Sequence, residues 1–204
     1  MISIARKTVI LILLVSFYTV GYLGINRLNA YRDSYYDVSF WFEKDIPFVP
    51  SFIIAYSLVF VLVAILFLML ENMADFREMV TRFFIMTLIC FAFFLILPVR
   101  MNFRPEMVMT DDWITQAVCF YFWIDQPYNL FPSMHLSASF FSAFYCLSKK
   151  RMVGYVSMIM AILVGISVVL LKQHYILDVV AGFLLAFCCF FFSCTRFKSL
   201  FRRA

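Results

Sequence analysis

Long apolar runs alternate with short polar connections along the whole chain. Six runs stand out, at roughly 8–25, 51–70, 83–98, 135–148, 152–171 and 175–195. A bilayer core takes about 20 apolar residues per helix, at about 1.5 Å of rise each. The pattern therefore predicts an all-α membrane protein with six transmembrane helices. The third and fourth runs are short and need apolar flanks to complete a crossing. The first opens as MISIARKTVILILLVSF, in the manner of a signal peptide. It continues through YTVGYLGIN without a small-residue cleavage pattern, so it reads as a retained anchor.

Between the runs, ENMADFREMVTR reads as a short polar connection and Lys149–Lys150–Arg151 as a tight hairpin. The third connection, about 99–134, is the longest. Its segment TDDWITQAVCFYFW has Asp111 or Asp112 as an N-cap and then a largely apolar stretch, which predicts an interfacial helix lying along the membrane. No repeat or linker divides the chain, and residues 1–204 read as a single domain.

Composition strengthens the membrane reading. The chain is 65% hydrophobic and 14% charged, with 27 Phe, whereas a soluble domain carries about 25% charged residues. Six cysteines, Cys90, Cys119, Cys146, Cys188, Cys189 and Cys194, form no metal-type spacing and read as small apolar fillers.

The net charge of +5 matters through its placement. Eleven Lys and Arg fall in the N-terminus, the second and fourth connections and the tail; six fall in the first, third and fifth connections. The positive-inside rule then puts both termini in the cytoplasm and the odd-numbered connections outside. Trp41, Trp113 and Trp123 all lie in those outward connections, as an aromatic belt or as a rim guiding a lipid. No basic patch interleaved with base-stacking aromatics points to nucleic acid. The cationic tail suits anionic membrane lipids.

The chemistry concentrates on the outward side. The only histidines are His135 and His174. In KQHYILDVVAG, His174 and Asp178 are four apart and would share a helical face. An unpaired carboxylate at membrane depth costs about 2.5–3.5 kcal/mol, so Asp178 needs a partner, and His174 is available. In FPSMHLS, Pro132 discourages helix before it and Ser133 suits an N-cap, which puts His135 in the first turn. A helix N-terminus there favours an anion. Arg100, Arg104 and Lys172 reach the same side, as phosphate-binding cations or as side chains snorkelling to the interface. Two imidazoles, a carboxylate and cations at one membrane face suit phosphoryl transfer. A metal site of His135, His174 and Asp178 is the rival, and the neighbouring cations would repel its ion.

These residues resemble the type 2 phosphatidic acid phosphatase superfamily, whose blocks read KxxxxxxRP, PSGH and SRxxxxxHxxxD. Here the first survives as Arg104–Pro105 with Leu97 at the lysine position. The second is Pro132–Ser133–Met134–His135, and the third keeps Ser167, His174 and Asp178 with Val168 at the arginine position. KQHY, the PSxH block and DIPFVPSFIIAY are similar to the inositol phosphorylceramide synthase-like branch, and the resemblance covers roughly residues 40–185. It implies a six-helix membrane fold and a phosphohistidine on His174. It further implies that Asp178 orients that ring, that His135 protonates the leaving alkoxide and later activates the acceptor, and that Arg104 and Ser133 hold the phosphate. No metal or other cofactor is implied. Arg100 and Lys172 are expected to stand in for the two missing cations.

The function expected is an integral membrane lipid phosphatase acting on a lipid phosphate ester at the extracytoplasmic face, in a bacterial inner membrane. With an alcohol in place of water, the same first step makes a lipid phosphotransferase. The short chain, with little outside the membrane to bind a second substrate, favours water. A transporter or channel would carry polar residues through the midplane of several helices, and the second and fifth runs are almost wholly apolar.

Overall fold

The computed structural model describes residues 4–191, and the cationic tail with Cys194 lies outside them. Among the described residues eight α-helices follow one another: α1 Ile4–Asn29, α2 Ile53–Tyr56, α3 Leu58–Met69, α4 Met73–Ile96, α5 Trp113–Ile124, α6 Met134–Lys149, α7 Arg151–Leu170 and α8 Ile176–Phe191. Among the described residues there is no strand, only an isolated bridge between Tyr36 and Val99.

Among the described residues four stretches are long and apolar enough to cross a membrane: Ala5–Asn29, Pro50–Met69, Met73–Ile96 and Arg151–Leu170. Large apolar side chains such as Ile12, Leu13 and Val20 of α1 and Met152, Ile159 and Ile166 of α7 point outwards. In water such faces would be untenable, whereas against acyl chains they cost nothing. The protein is integral to the membrane.

The fourth and sixth predicted runs became α6 and α8, each 16 residues within the described chain. α6 differs from every other helix: all positions from Leu136 to Cys146 are buried. It packs against α7, α8 and α3 in the interior of the bundle. Two glycines allow the closest approaches. A Cβ on Gly154 would meet the Leu147 backbone at 2.2 Å, and one on Gly182 would meet the Ser133 carbonyl oxygen at 2.6 Å. The second contact brings α8 hard against the start of α6.

The segment read as a polar connection, ENMADFREMVTR, is mostly helix. Asn72 caps α4 by accepting the Asp75 N–H at 2.8 Å, and the helix runs unbroken from Met73. Its first turns are charged because they are the wet end of a long helix. The expected cap of α5 is Asp112, which accepts the Thr115 N–H at 2.9 Å.

Candidate active site

Ser133 is the N-cap of α6, its hydroxyl oxygen accepting the Leu136 N–H at 3.3 Å. Its own N–H donates to the Asp178 carbonyl at 3.1 Å, and Ser137 donates to the Gly182 carbonyl at 3.2 Å. These bonds dock the first turn of α6 onto the first turns of α8. His135 is thereby held in a helical first turn, as its sequence position predicts.

His174 is not on a helix with Asp178. After α7 the chain turns through Lys172, whose φ of 53° lies in the left-handed region, and the N–H groups of Gln173 and His174 both donate to the Val168 carbonyl. α8 starts only at Ile176. Asp178 caps that start by accepting the Tyr175 N–H at 2.8 Å. The spacing of four still brings the pair together, through a turn: His174 Nδ1 lies 3.4 Å from Asp178 Oδ2.

His135 Nδ1 lies 3.4 Å from His174 Nε2. The two imidazoles, 39 residues apart in sequence, face each other with the carboxylate behind one of them. At this separation no further group fits between the nitrogens unless one ring moves. Behind His135, its Nε2 lies 2.6 Å from the hydroxyl of Tyr56.

Burial lowers the pKa of His174 from 6.5 to about 4; Asp125 opposes the shift and Arg104 adds to it. At neutral pH this ring is uncharged and carries a lone pair, as a nucleophile requires.

Arg104 donates from Nη1 to the Asp125 carbonyl at 2.7 Å and from Nη2 to the Gln173 side-chain oxygen, with its guanidinium over the Phe122 ring. Arg104 Nε and Gln173 Nε2 are buried donors without a hydrogen-bond partner among the described residues. Buried polar groups are normally satisfied, so two orphan donors beside His174 suit an anion.

The expected stand-in cations are engaged elsewhere. The Lys172 ammonium donates to the Glu43 carbonyl at 2.8 Å. The exposed Arg100 lies over the rings of Tyr35 and Tyr128. Val168 is fully buried, so the position where the resembling family has an arginine contributes a main-chain acceptor instead.

Sequence reading missed four contributors. Gln173 stood inside the quoted KQHY, next to the histidine. Glu43 sends its two carboxylate oxygens to the N–H groups of Ile176 and Phe40, each at 2.6 Å, clamping the first connection onto the start of α8. Asp125 accepts the Tyr22 hydroxyl at 2.6 Å, and Tyr56 reaches His135. Tyr56 closes the quoted DIPFVPSFIIAY, whereas Glu43 and Asp125 had no local pattern to betray them.

A cavity of about 320 Å³ starts at His135, Asp125 and Tyr56 and continues between α1, α3 and α4, past Val59, Val63 and Leu66. Its walls are predominantly aliphatic and aromatic. Among the described residues, no group of three His, Cys, Asp or Glu side chains is placed to hold a metal ion.

Residues 37–192 match the family model of the PAP2 superfamily. No curated protein matches the chain. Among solved structures, the chain is similar to the first transmembrane PAP2 type phosphatidylglycerolphosphate phosphatase from Bacillus subtilis. Identity is 19% over 91% of this chain and 90% of that one, with a TM-score of 0.46.

Proposed function

The chain belongs to the PAP2 superfamily, and we propose that it is a lipid phosphatase that hydrolyses a lipid phosphate ester through a phosphohistidine. The observation that carries this reading is the facing pair of imidazoles, 3.4 Å apart, with Asp178 at 3.4 Å behind His174.

In this mechanism Nε2 of His174 attacks phosphorus while Asp178 stabilises the charge growing on the ring. His135 gives a proton to the leaving alkoxide, then takes one from the attacking water. Arg104, with the orphan N–H of Gln173 beside it, holds the phosphate oxygens. Ser133 contributes by setting the start of α6, and its hydroxyl is at hand for the same anion. Lys172 and Arg100 are assigned supporting roles, Lys172 through the turn that carries His174. The aliphatic cavity suits an acyl or other long hydrocarbon chain, which is why the substrate is read as a lipid.

The topology that fits this reading has six crossings, with α6 and α8 completing the four long spans. α5 lies along the interface and the histidine end faces away from the cytoplasm, as the lysine and arginine distribution requires. A bacterial inner membrane is the setting proposed. Transfer to an alcohol differs only in the second step.

Purified protein given a panel of lipid phosphates, with and without alcohol acceptors, tests the reading. Free phosphate released without an acceptor, together with an acid-labile phosphoryl adduct on His174, is the expected result. Release only when an alcohol is present would make the protein a transferase. No turnover and no adduct on any lipid phosphate would overturn both.

A further inference from the structure

We infer that Tyr56 is a positioning residue for His135 and fixes Nδ1 as the nitrogen that exchanges a proton with the substrate; the inference rests on the phosphohistidine reading above. Tyr56 is 1% exposed, and its hydroxyl has His135 Nε2, at 2.6 Å, as its hydrogen-bond partner among the described residues. The two rings lie with centroids 4.7 Å apart, and Tyr121 packs edge-on against the far side of Tyr56 at 5.2 Å. The backbone at that point is also held, because both the N–H and the hydroxyl of Ser57 donate to the Ile53 carbonyl. Tyr56 is thus a fixed post.

The opposite nitrogen, Nδ1, is the one facing His174 Nε2 at 3.4 Å, where phosphorus must arrive. Turning Nε2 towards the substrate would break the bond to Tyr56 and orphan two buried polar atoms, at about 1–3 kcal/mol each. The ring therefore works through Nδ1.

Proton accounting gives the tyrosine its role. In the first step the His135 imidazolium releases its Nδ1 proton to the alkoxide oxygen as the P–O bond breaks and the His174 Nε2–P bond forms. The neutral ring left behind keeps its proton on Nε2, donated to the Tyr56 oxygen. Its Nδ1 lone pair then takes a proton from water as the water oxygen bonds to phosphorus and the N–P electrons return to His174. Without a partner at Nε2 the ring loses the contact that holds this edge away from the substrate, and Nδ1 is no longer fixed where the proton must pass. The imidazolium would also lose a hydrogen bond that favours it.

The test is Tyr56→Phe in the purified full chain, assayed on a lipid phosphate and on p-nitrophenyl phosphate. The lipid alkoxide needs a proton to leave, whereas p-nitrophenolate departs without one. On the lipid phosphate, kcat should fall about 10- to 100-fold with little change in KM, and the alkaline limb of the rate profile should move to lower pH. The initial burst of p-nitrophenolate should stay within about threefold of the parent. A p-nitrophenolate burst that falls as far as kcat does on the lipid phosphate, or an unmoved alkaline limb, would overturn the assignment.

A second readout needs no turnover. With 15N-labelled histidine, the His135 Nε2 signal should differ between the parent, where it is hydrogen-bonded to the Tyr56 hydroxyl, and Tyr56→Phe, where it is not. An Nε2 signal unchanged between the two proteins would refute the role of Tyr56. A parent that hydrolyses nothing while showing the expected Nε2 change would instead refute the phosphatase reading alone.

Discussion

At the end of the bundle where α4 begins and α6 closes, charges meet in pairs that keep at least one partner partly exposed. Lys149 pairs with the partly exposed Asp75, Arg82 with Glu78, and Lys7 donates to the Leu70 carbonyl. At the opposite end, where α1 and α4 finish and α6 and α8 start, amides and ionisable side chains such as Glu43, Asp125, Lys172 and Asp178 are buried together. Asn29 donates to Asn129 and to the Phe94 carbonyl, Asn129 donates to the Tyr22 carbonyl, and Asn26 donates to the Gln126 carbonyl. The first end anchors helices with interactions that water weakens. The second withdraws its polar groups from solvent, where each bond counts for more and each orphan costs more. The orphans beside the histidines are Arg104 Nε, Gln173 Nε2, His174 Nδ1 and one oxygen of Asp178, while the first end has its own in Arg82 Nε, Tyr145 Oη and Ser157 Oγ. What sets the histidine end apart is that its orphans gather around two facing imidazoles, as expected of a site that takes a polar ligand.

The contrast can be broken by substitution. Asp178→Asn should have the largest effect: phosphate release from a lipid phosphate should fall about 10³- to 10⁴-fold, because the His174 ring loses the group that orients and charges it. His174→Ala should remove the phosphoryl adduct as well. Activity retained in either variant would make the histidine end scaffold too. Arg104→Lys should come next, with a loss of about 10- to 100-fold in kcat/KM, since an ammonium cannot reproduce the fork held by Asp125 and Gln173. Phosphate-release kinetics measure both.

Glu43→Gln should lower stability by about 1 kcal/mol, read as a lower Tm in detergent, because one of two partly buried N–H groups loses its acceptor. If Tm is unchanged, the clamp on α8 is not holding the His174 turn. A pH series sharpens the same point. His174 is neutral in the folded chain down to about pH 4 but takes a proton near pH 6.5 when unfolded. The unfolded state therefore binds more protons between those values, and stability should fall as pH drops through that window. His174→Ala should flatten the Tm profile there. The smallest effect belongs to the other end: Lys149→Ala should cost under about 1 kcal/mol and leave turnover as it was.

Hydropathy located the helices because lipid-facing and core-facing positions are both apolar, so it could not tell α6 from α7. What distinguishes α6 is that neighbours shield it from lipid on all sides, which lets Ser137, Ser139 and Ser142 sit inside it, fully buried. The boundary at 73 was missed because charged residues at the wet end of a helix look like a loop.

His135, His174, Asp178 and Arg104 stood out in the sequence because each is rare in such surroundings and the intervals between them are characteristic. Tyr56, Glu43 and Asp125 are single polar residues whose partners lie 79, 133 and 103 positions away. Only the folded chain shows what they touch. For Lys172 the charge suggests a ligand for phosphate, and the fold shows its ammonium donating to a carbonyl of the first connection.

The closeness of the two imidazoles has a consequence for the resting protein. With 3.4 Å between their facing nitrogens, each ring blocks access to the reactive atom of the other. Electrophiles such as diethyl pyrocarbonate should modify them sluggishly until an oxyanion wedges the pair apart. The latch would spare the nucleophile from stray chemistry between turnovers, at the expense of some affinity for every phosphate that has to open it.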